Sequence, residues 1–227
     1  MRESQCCTQC GAEIPEGNNF CARCGNSISS EDTDNIPTRE ISLKERLRDK
    51  YRDDLAYALS SAGVKAEMAQ RGRAEEKTEN SWYQRSLGVI DISEGPVKWI
   101  NILKKDGSKN SPPRWWVVMG IPDDKSVSTH QETKIKTVRK KNFPLFGKVV
   151  DVIWKGSDVD TGLVNTLTAD VAIKTLSKSV GNLEIKSQTN EFQGWTLTVD
   201  RRFNPTNKDW ETIEKIADYI LSSPRSL

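Results

Sequence analysis

Cysteine and histidine are nearly absent from most of this 227-residue chain. All five cysteines lie within the first 24 residues, and His130 is the only histidine. After residue 24 the chain has one histidine and no cysteine, so this part cannot form a cysteine–histidine nucleophile pair or a multi-histidine metal site. The G-x-S-x-G motif, the phosphate-binding glycine loop and the dinucleotide-binding motif are also missing. The sequence therefore shows no catalytic signature, although catalysis by carboxylates alone stays open.

Long apolar runs are lacking as well. The most apolar stretch, residues 115–121, has the length of a strand and falls far short of the roughly 18–20 residues that a membrane-spanning helix needs. The N-terminus leads from Met1 directly to polar residues and cysteines, without the apolar segment of a secretory signal. Clustered thiols with metal-ligand spacing suit a reducing compartment. We therefore expect a soluble, cytoplasmic protein without a membrane span.

The cysteines that are present form two pairs. Two residues separate Cys7 from Cys10 and Cys21 from Cys24, and a glycine follows each pair. This spacing lets both thiolates of a pair point into one tetrahedral zinc site, and glycine tolerates the positive φ of such a turn. We predict one structural Zn²⁺ on these four cysteines, with Cys6 as a spare, exposed thiol. A redox pair and unliganded surface thiols are the alternatives.

This pattern resembles the short zinc-ribbon domain found at the N-terminus of many prokaryotic proteins. The resemblance rests on the two Cys-x-x-Cys-Gly units, with Phe20 before the second, and covers only residues 7–25. In that family the four cysteines are the metal ligands, and all four positions match here. The family implies structural zinc and suggests an interaction module. It occurs on transcription-related, membrane and uncharacterised proteins, so it does not specify a function.

Composition divides the chain into four segments. The zinc ribbon (residues 1–26) is followed by a serine-rich, acidic stretch (residues 27–41), which cannot offset the entropy cost of ordering and is predicted to be a flexible linker. Residues 42–80 are predicted to be helical, because a capping box at Ser42 precedes apolar residues at every fourth position. Within that segment, residues 65–77 are predicted to form a second, weaker helix. The α+β domain spans residues 81–227, and no family is recognised for residues 42–227.

The α+β domain shows the period-two alternation of strands, then helical patterns. Its predicted strands cover residues 87–92, 97–103, 114–119, 133–139, 148–154, 183–186 and 195–201. A helix is predicted over residues 161–177, with Asp158 or Asp160 as its N-cap. The last helix begins at a capping box formed by Thr206 and Asp209. Its apolar face must cover the sheet and comprises Trp210, Ile213, Ile216, Ala217 and Ile220. We expect an α+β fold, in which helices cover a mainly antiparallel sheet.

Positive charge concentrates in the middle third of the chain. The formal net charge is +2, yet residues 98–155 carry 13 basic and five acidic side chains. The candidate nucleic-acid-binding residues in this stretch are Lys134, Lys136, Arg139, Lys140 and Lys141. Cationic side chains on a sheet with nearby aromatics such as Trp115, Trp116 and Trp154 can hold phosphates and stack bases.

The same pattern has a purely structural explanation. Alternation places Lys134, Lys136 and Lys140 on one face of their strand, and Arg139 on the other. Any half-exposed strand shows such alternation, and lysines also protect sheet edges from aggregation. Likewise, both Trp115 and Trp116 can be covered, one by the core and one by a helix or loop. A solvated strand face is therefore the alternative to a binding surface.

Three functional hypotheses follow. The first is a non-catalytic interaction protein, adaptor or regulatory, with an N-terminal structural zinc ribbon and a protein partner. The second is a nucleic-acid-binding protein that uses the ribbon together with the basic sheet surface. The third is an enzyme whose active site depends on carboxylates. The sequence specifies neither the partner nor the oligomeric state.

Overall fold

The computed structural model describes residues 5–6, 13–14, 49–124, 133–142, 147–157, 162–188 and 192–223. The chain divides into two compact units, Met1–Arg48 and Asp49–Leu227. In the first unit, strands β1 (Gln5–Cys6) and β2 (Glu13–Ile14) pair in antiparallel fashion. Cys6 lies opposite Glu13 in this pairing. The predicted linker, residues 27–41, lies outside the described residues.

The second unit is built on an eight-stranded antiparallel sheet with the spatial order β3-β4-β5-β6-β10-β9-β7-β8. The β9–β10 hairpin is inserted between β6 and β7, so β3 and β8 form the two edges. Its strands are β3 (Ala66–Met68), β4 (Arg85–Ile92), β5 (Trp99–Lys105), β6 (Arg114–Pro122), β7 (Lys134–Lys141), β8 (Val149–Gly156), β9 (Leu183–Gln188) and β10 (Gly194–Val199).

Four α-helices are described in this unit, and they pack on one side of the sheet, the helix face. They are α1 (Tyr51–Ser61), α2 (Leu163–Ala169), α3 (Val171–Val180) and α4 (Asn207–Ser222). Alternate strand residues such as Ile100 and Met119 point to this face and form the main core with helix residues such as Ile216. The predicted α+β fold is confirmed. No helix among the described residues is long and apolar enough to cross a membrane.

Helix α4 begins as its sequence predicts. The Asp209 backbone N–H donates to Thr206 Oγ1 at 3.2 Å, and Asp209 Oδ2 accepts from the Thr206 backbone N–H at 3.0 Å. This reciprocal capping box satisfies two backbone donors at the start of the helix. The predicted apolar face is buried throughout, at Trp210, Ile213, Ile216, Ala217 and Ile220. Both the start and the orientation of this helix are therefore confirmed.

The helix predicted over residues 65–77 is wrong. Ala66–Met68 instead forms edge strand β3, pairing with residues 90–92 of β4. Only Ala74–Lys77 is helical, as a single 3₁₀ turn. The local sequence favours a helix only weakly, whereas pairing with β4 provides backbone hydrogen bonds to an open sheet edge. Tertiary pairing therefore outweighs the small difference in helix propensity.

The helix predicted over residues 161–177 is divided in two at Asp170. This residue has extended φ and ψ of −70° and 120°, and its Oδ1 accepts hydrogen bonds from the backbone N–H groups of Ala172 and Ile173. Asp170 therefore caps a new helix in place of continuing the old one. Gly162 occupies the N-cap position of α2, while Asp158 and Asp160 lie outside the described residues.

The predicted first helix also differs from the structure at the first described residues of this unit. Asp49 and Lys50 are not helical, and α1 begins at Tyr51. Asp49 Oδ1 accepts from the Tyr51 backbone N–H at 3.0 Å, so its carboxylate satisfies a donor of the first turn. The capping box at Ser42 lies outside the described residues.

The other side of the sheet, the open face, is partly covered by residues 69–84, the crossing segment. Asn101, buried on this side, donates from Nδ2 to the Glu75 carbonyl at 2.9 Å. Further along the segment, the Glu79 carboxylate lies 2.6 Å from Lys186 Nζ. The crossing segment thus packs over β4, β5 and part of β9. Among the described residues, no element packs on the open face of β7 and β8.

Candidate functional site

Strands β7 and β8 present a row of exposed lysines on the uncovered part of the open face. Lys134, Lys136 and Lys140 alternate along β7, and Lys155 of β8 lies directly opposite Lys136. All four side chains are exposed. We call these four residues the lysine strip. The structure therefore brings together three of the lysines that the sequence singled out and adds a fourth.

Carboxylates accompany two members of the lysine strip. Lys134 Nζ lies 3.3 Å from Glu184, and Lys140 Nζ lies 3.7 Å from Asp151. These ion pairs are solvent-exposed, so each contributes little to stability and leaves its lysine available to another anion. Lys136 and Lys155 form no ion pair with any residue that the structure describes.

The placement of Lys155 opposite Lys136 works against folding. Like charges directly opposite each other on neighbouring strands destabilise a sheet, whereas opposite charges stabilise it by roughly 0.2–1 kcal/mol. Glu184, across from Lys136 on β9, offsets part of this repulsion. Local features that oppose the fold are typical of functional surfaces. The lysine strip therefore has the charge and the exposure of a site for an anion.

The remaining predicted basic residues lie elsewhere. Arg139 points to the helix face, where its Nη2 donates to the Lys178 carbonyl at the end of α3. Burial lowers the pKa of this guanidinium. Lys141 is exposed beyond a register shift between Lys140 and Lys141, where β7 ends. Arg139 therefore joins two structural layers and does not extend the lysine strip.

Sequence analysis missed Lys155. The predicted strand stopped at Trp154, whereas β8 continues to Gly156. Extending the alternation by one residue would have placed Lys155 on the face opposite Trp154. Nothing in the sequence, however, indicates that β8 pairs with β7 in the register that sets Lys155 against Lys136. That juxtaposition depends on tertiary structure.

The free edge of β8 is closed to the addition of another strand at its centre. The Trp154 backbone N–H donates to Thr168 Oγ1 of α2 at 3.1 Å. The Asp151 carboxylate lies 3.1 Å from Lys174 Nζ of α3, so these side chains also pack along this edge. A backbone donor that would otherwise pair with an added strand is thus occupied. The open face, rather than the edge, is available to a partner.

Trp115 and Trp116 face opposite sides of β6, as adjacent strand residues must. Trp115 packs against the main core on the helix face, and its Nε1 donates to Asp49 Oδ2 at 3.3 Å. The guanidinium of Arg202 lies 4.0 Å from the centre of a Trp115 ring. Trp116 lies on the open face, half-buried, with the Arg114 guanidinium 5.2 Å from its ring centre. Only Trp116 is placed to take part in a site on the open face.

Asp49 is the most enclosed acid in this region, with a side chain 6% exposed. Burial acts to raise its pKa, but hydrogen bonds from Lys104, the Tyr51 backbone and Trp115 outweigh burial and lower the pKa below its ordinary value. Ion pairing likewise lowers the pKa of Glu75, Asp106 and Asp151. These described carboxyl groups are held ionised by cations, which identifies them as structural ion pairs.

The predicted metal ligands lie in the first unit, where the described residues are the paired strands β1 and β2. Their register joins residue 6 to residue 13. The four predicted ligands, Cys7, Cys10, Cys21 and Cys24, lie outside the described residues. The family model of the zinc-ribbon domain matches residues 7–28. Residues 7–28 are therefore similar to the zinc-ribbon domain. The match begins at Cys7 and includes all four predicted ligands.

The ribbon is a small part of the chain, and no curated protein and no solved structure matches the chain. Its donor set fits the metal, because four thiolates in two Cys-x-x-Cys units complete a tetrahedral Zn²⁺ site. In the second unit, the described residues contain no cluster of three or more metal-ligating side chains. The ribbon therefore remains the candidate metal site.

Proposed function

We propose that this chain is a zinc-binding, non-catalytic interaction protein whose second unit binds an anionic macromolecule through the lysine strip. The observation that carries this proposal is the exposed pair Lys136 and Lys155, which lie opposite each other and form no ion pair among the described residues. Glu184 lies across from Lys136 on β9, but its carboxylate is near Lys134 and Lys186. An anionic partner would relieve the repulsion between them. Binding would then stabilise the folded state, because Lys136 and Lys155 lie opposite each other only when the sheet is formed.

The charge around the strip supports the same proposal. Lys141 and Lys148 are also exposed, near the ends of β7 and β8. The described acids among these strands are Asp151 and Glu184, and each already lies near more than one lysine. Positive charge therefore exceeds negative charge over the uncovered part of the open face. Such a surface attracts an anionic partner before contact and raises the association rate at low salt.

We further infer that Cys7, Cys10, Cys21 and Cys24 hold one Zn²⁺. The metal would supply the free energy that folds the ribbon, since a segment this short cannot build a sufficient apolar core. Metal-bound thiolates need a reducing compartment, which favours a cytoplasmic location. The ribbon then acts as an interaction module attached to the binding unit.

Binding of anionic polymers by the full-length, zinc-loaded protein tests the proposal. Fluorescence anisotropy would follow labelled mixed-sequence DNA, RNA and polyglutamate at low and at near-physiological salt. We expect at least one polymer to bind, with an affinity that falls as salt rises and falls further in the double variant Lys136→Glu with Lys155→Glu. Lys208→Glu, on the exposed start of α4, is the matched control. Absence of binding to all three polymers at low salt would overturn the proposal.

A further inference from the structure

The crossing segment ends in a turn that presents two aromatic side chains to solvent. The Gln84 backbone N–H donates to the Ser81 carbonyl at 2.9 Å, and the Ser81 N–H donates to Gln84 Oε1 at 3.0 Å. Trp82 and Tyr83 are the two central residues of this turn. Trp82 is 94% exposed and Tyr83 is 45% exposed. Tryptophan side chains usually stabilise a fold by being buried, and an indole this exposed makes almost no such contribution.

These aromatics are followed by two cations and a third ring on the neighbouring strands. The rings of Trp82 and Tyr83 meet edge to face at 5.6 Å, and Lys105 Nζ lies 5.4 Å from the Tyr83 ring centre. Lys105 is the cross-strand partner of Arg114, whose guanidinium lies over Trp116. We call these five residues the aromatic–cation run. Strand alternation places its members on β5 and β6 on the open face.

The turn is held in place by polar contacts of the residues before it. Glu79 has a φ of 58°, an uncommon conformation for a residue with a side chain. Its carboxylate accepts from Lys186 Nζ at 2.6 Å and from Gln188 Nε2 at 2.5 Å. Asn80 Nδ2 donates to the Glu76 carbonyl at 3.0 Å. The aromatic pair is therefore displayed by an anchored segment, which lowers the entropy cost of binding to it.

The aromatic–cation run and the lysine strip share one face of the sheet. On β6, Val118 lies two residues from Trp116 and points to the same face. From Val118, cross-strand partners follow on β10, β9, β7 and β8: Thr198, Glu184, Lys136 and Lys155. Four strand steps separate β6 from β8, a breadth of about 19 Å at ~4.8 Å per step. The two features thus lie on one face of the sheet, with rings at one side, lysines at the other, and the buried Val118 and half-buried Thr198 and Glu184 between them.

We propose that this surface binds single-stranded nucleic acid, with bases stacked on Trp82, Tyr83 and Trp116 and phosphates held by the lysine strip. The inference rests on the proposed function and names its partner. Aromatic rings can stack only on bases that are not already stacked in a duplex. An acidic protein would use the lysines but has no equivalent need for exposed rings beside them. The combination of rings and cations therefore distinguishes the polymer.

The test uses the full-length, zinc-loaded protein and fluorescence anisotropy with four probes: single-stranded DNA, single-stranded RNA, the matching DNA duplex and polyglutamate. The main variant is Trp82→Ala with Tyr83→Ala. Tyr57→Ala is its control, because Tyr57 is an exposed aromatic of α1, outside the proposed surface. Circular dichroism checks that each variant keeps the fold. Trp82→Phe retains a stacking ring and serves as the conservative replacement.

We expect single strands to bind more tightly than the duplex or polyglutamate. The double alanine variant should lose roughly tenfold or more in affinity for single strands and little for the duplex. Trp82→Phe should bind nearly as the wild type does, and Tyr57→Ala should be unchanged. Unlabelled single strands should quench the tryptophan fluorescence of the wild type.

Other outcomes separate this inference from the function on which it rests. Preference for polyglutamate or duplex, or a double alanine variant that binds single strands normally, would overturn the single-strand inference. If the lysine variants still weakened binding to the preferred polymer, the proposed function would stand. If no probe bound, both would fail.

Discussion

Asp49 Oδ2 lies 2.7 Å from Lys104 Nζ, and this ion pair ties the first residue of the second unit to strand β5. The same carboxylate accepts hydrogen bonds from Trp115 and from the first turn of α1. Nearby, Arg202 lies over the Trp115 ring, and the Tyr51 hydroxyl donates to the Phe203 carbonyl at 2.9 Å. One acid therefore joins the start of the unit, two central strands and the segment before α4.

Removing the charge of Asp49 should destabilise the second unit. In Asp49→Asn the ammonium of Lys104, whose side chain is 15% exposed, loses its main counter-charge. Leaving a buried polar group unsatisfied costs roughly 1–3 kcal/mol. We expect a lower midpoint of thermal unfolding, by about 2–4 °C per kcal/mol for a domain of this size. Asp54→Asn, on the exposed side of α1, should leave the midpoint nearly unchanged.

Asp49 should also make stability depend on pH in the acid range. Its folded-state pKa is lowered from the ordinary 3.8, so the ionised form stabilises the fold. This contribution is fully present above the unfolded-state pKa and is lost as the pH falls through the folded-state pKa. Urea unfolding between pH 7 and about pH 2 should show a shallower acid decline for Asp49→Asn than for the wild type. Equal declines would contradict this role.

Lys155→Glu should move stability and binding in opposite directions. The substitution replaces the repulsion across from Lys136 with an attraction, which favours the sheet by roughly 0.2–1 kcal/mol. It also removes a cation from the lysine strip, so affinity for an anionic polymer and its dependence on salt should both decrease. Chemical unfolding and anisotropy on the same preparation would measure the two effects. A variant that is less stable and binds normally would contradict both expectations.

Removing zinc should unfold the ribbon and spare the second unit. The two units are compact on their own, and the second has no cysteine and a core of its own. A strong chelator should release one zinc per chain and collapse the amide dispersion of residues 1–26 in NMR spectra. The resonances of the sheet should stay in place. Substituting Cys21 and Cys24 with serine should reproduce the effect without chelator, whereas Cys6→Ser should keep the zinc.

Gly120→Ala should disturb the smaller core on the open face. A Cβ at residue 120 would collide with the indole of Trp99, which packs across this glycine from the neighbouring strand. Overpacking of this kind costs typically about 1–3 kcal/mol. Trp99→Phe combined with Gly120→Ala should recover part of the loss, because a smaller ring leaves more room. Thermal unfolding of the two single variants and the double variant would measure the coupling.

Local sequence patterns determined several elements of this protein. The spacing of the four cysteines identified the ribbon, because a metal site constrains residue types over a short distance. The capping box at Thr206 and the apolar spacing that follows fixed the start and buried face of α4. Strand alternation separated Lys136 from Ile135 and Arg139, since successive side chains on a strand point to opposite faces.

Only the tertiary structure decided how these elements meet. The insertion of β9 and β10 between β6 and β7, and the register that sets Lys155 against Lys136, depend on contacts between residues far apart in the chain. Long-range pairing also made Ala66–Met68 a strand, although the local sequence weakly favours a helix. The crossing segment packs over Asn101, and this contact places Trp82 near the cations of the open face. Periodicity specifies which side of a strand a residue occupies. Which residue lies next to it on that side depends on strand order and register, and these are determined by the packing free energy of the whole sheet.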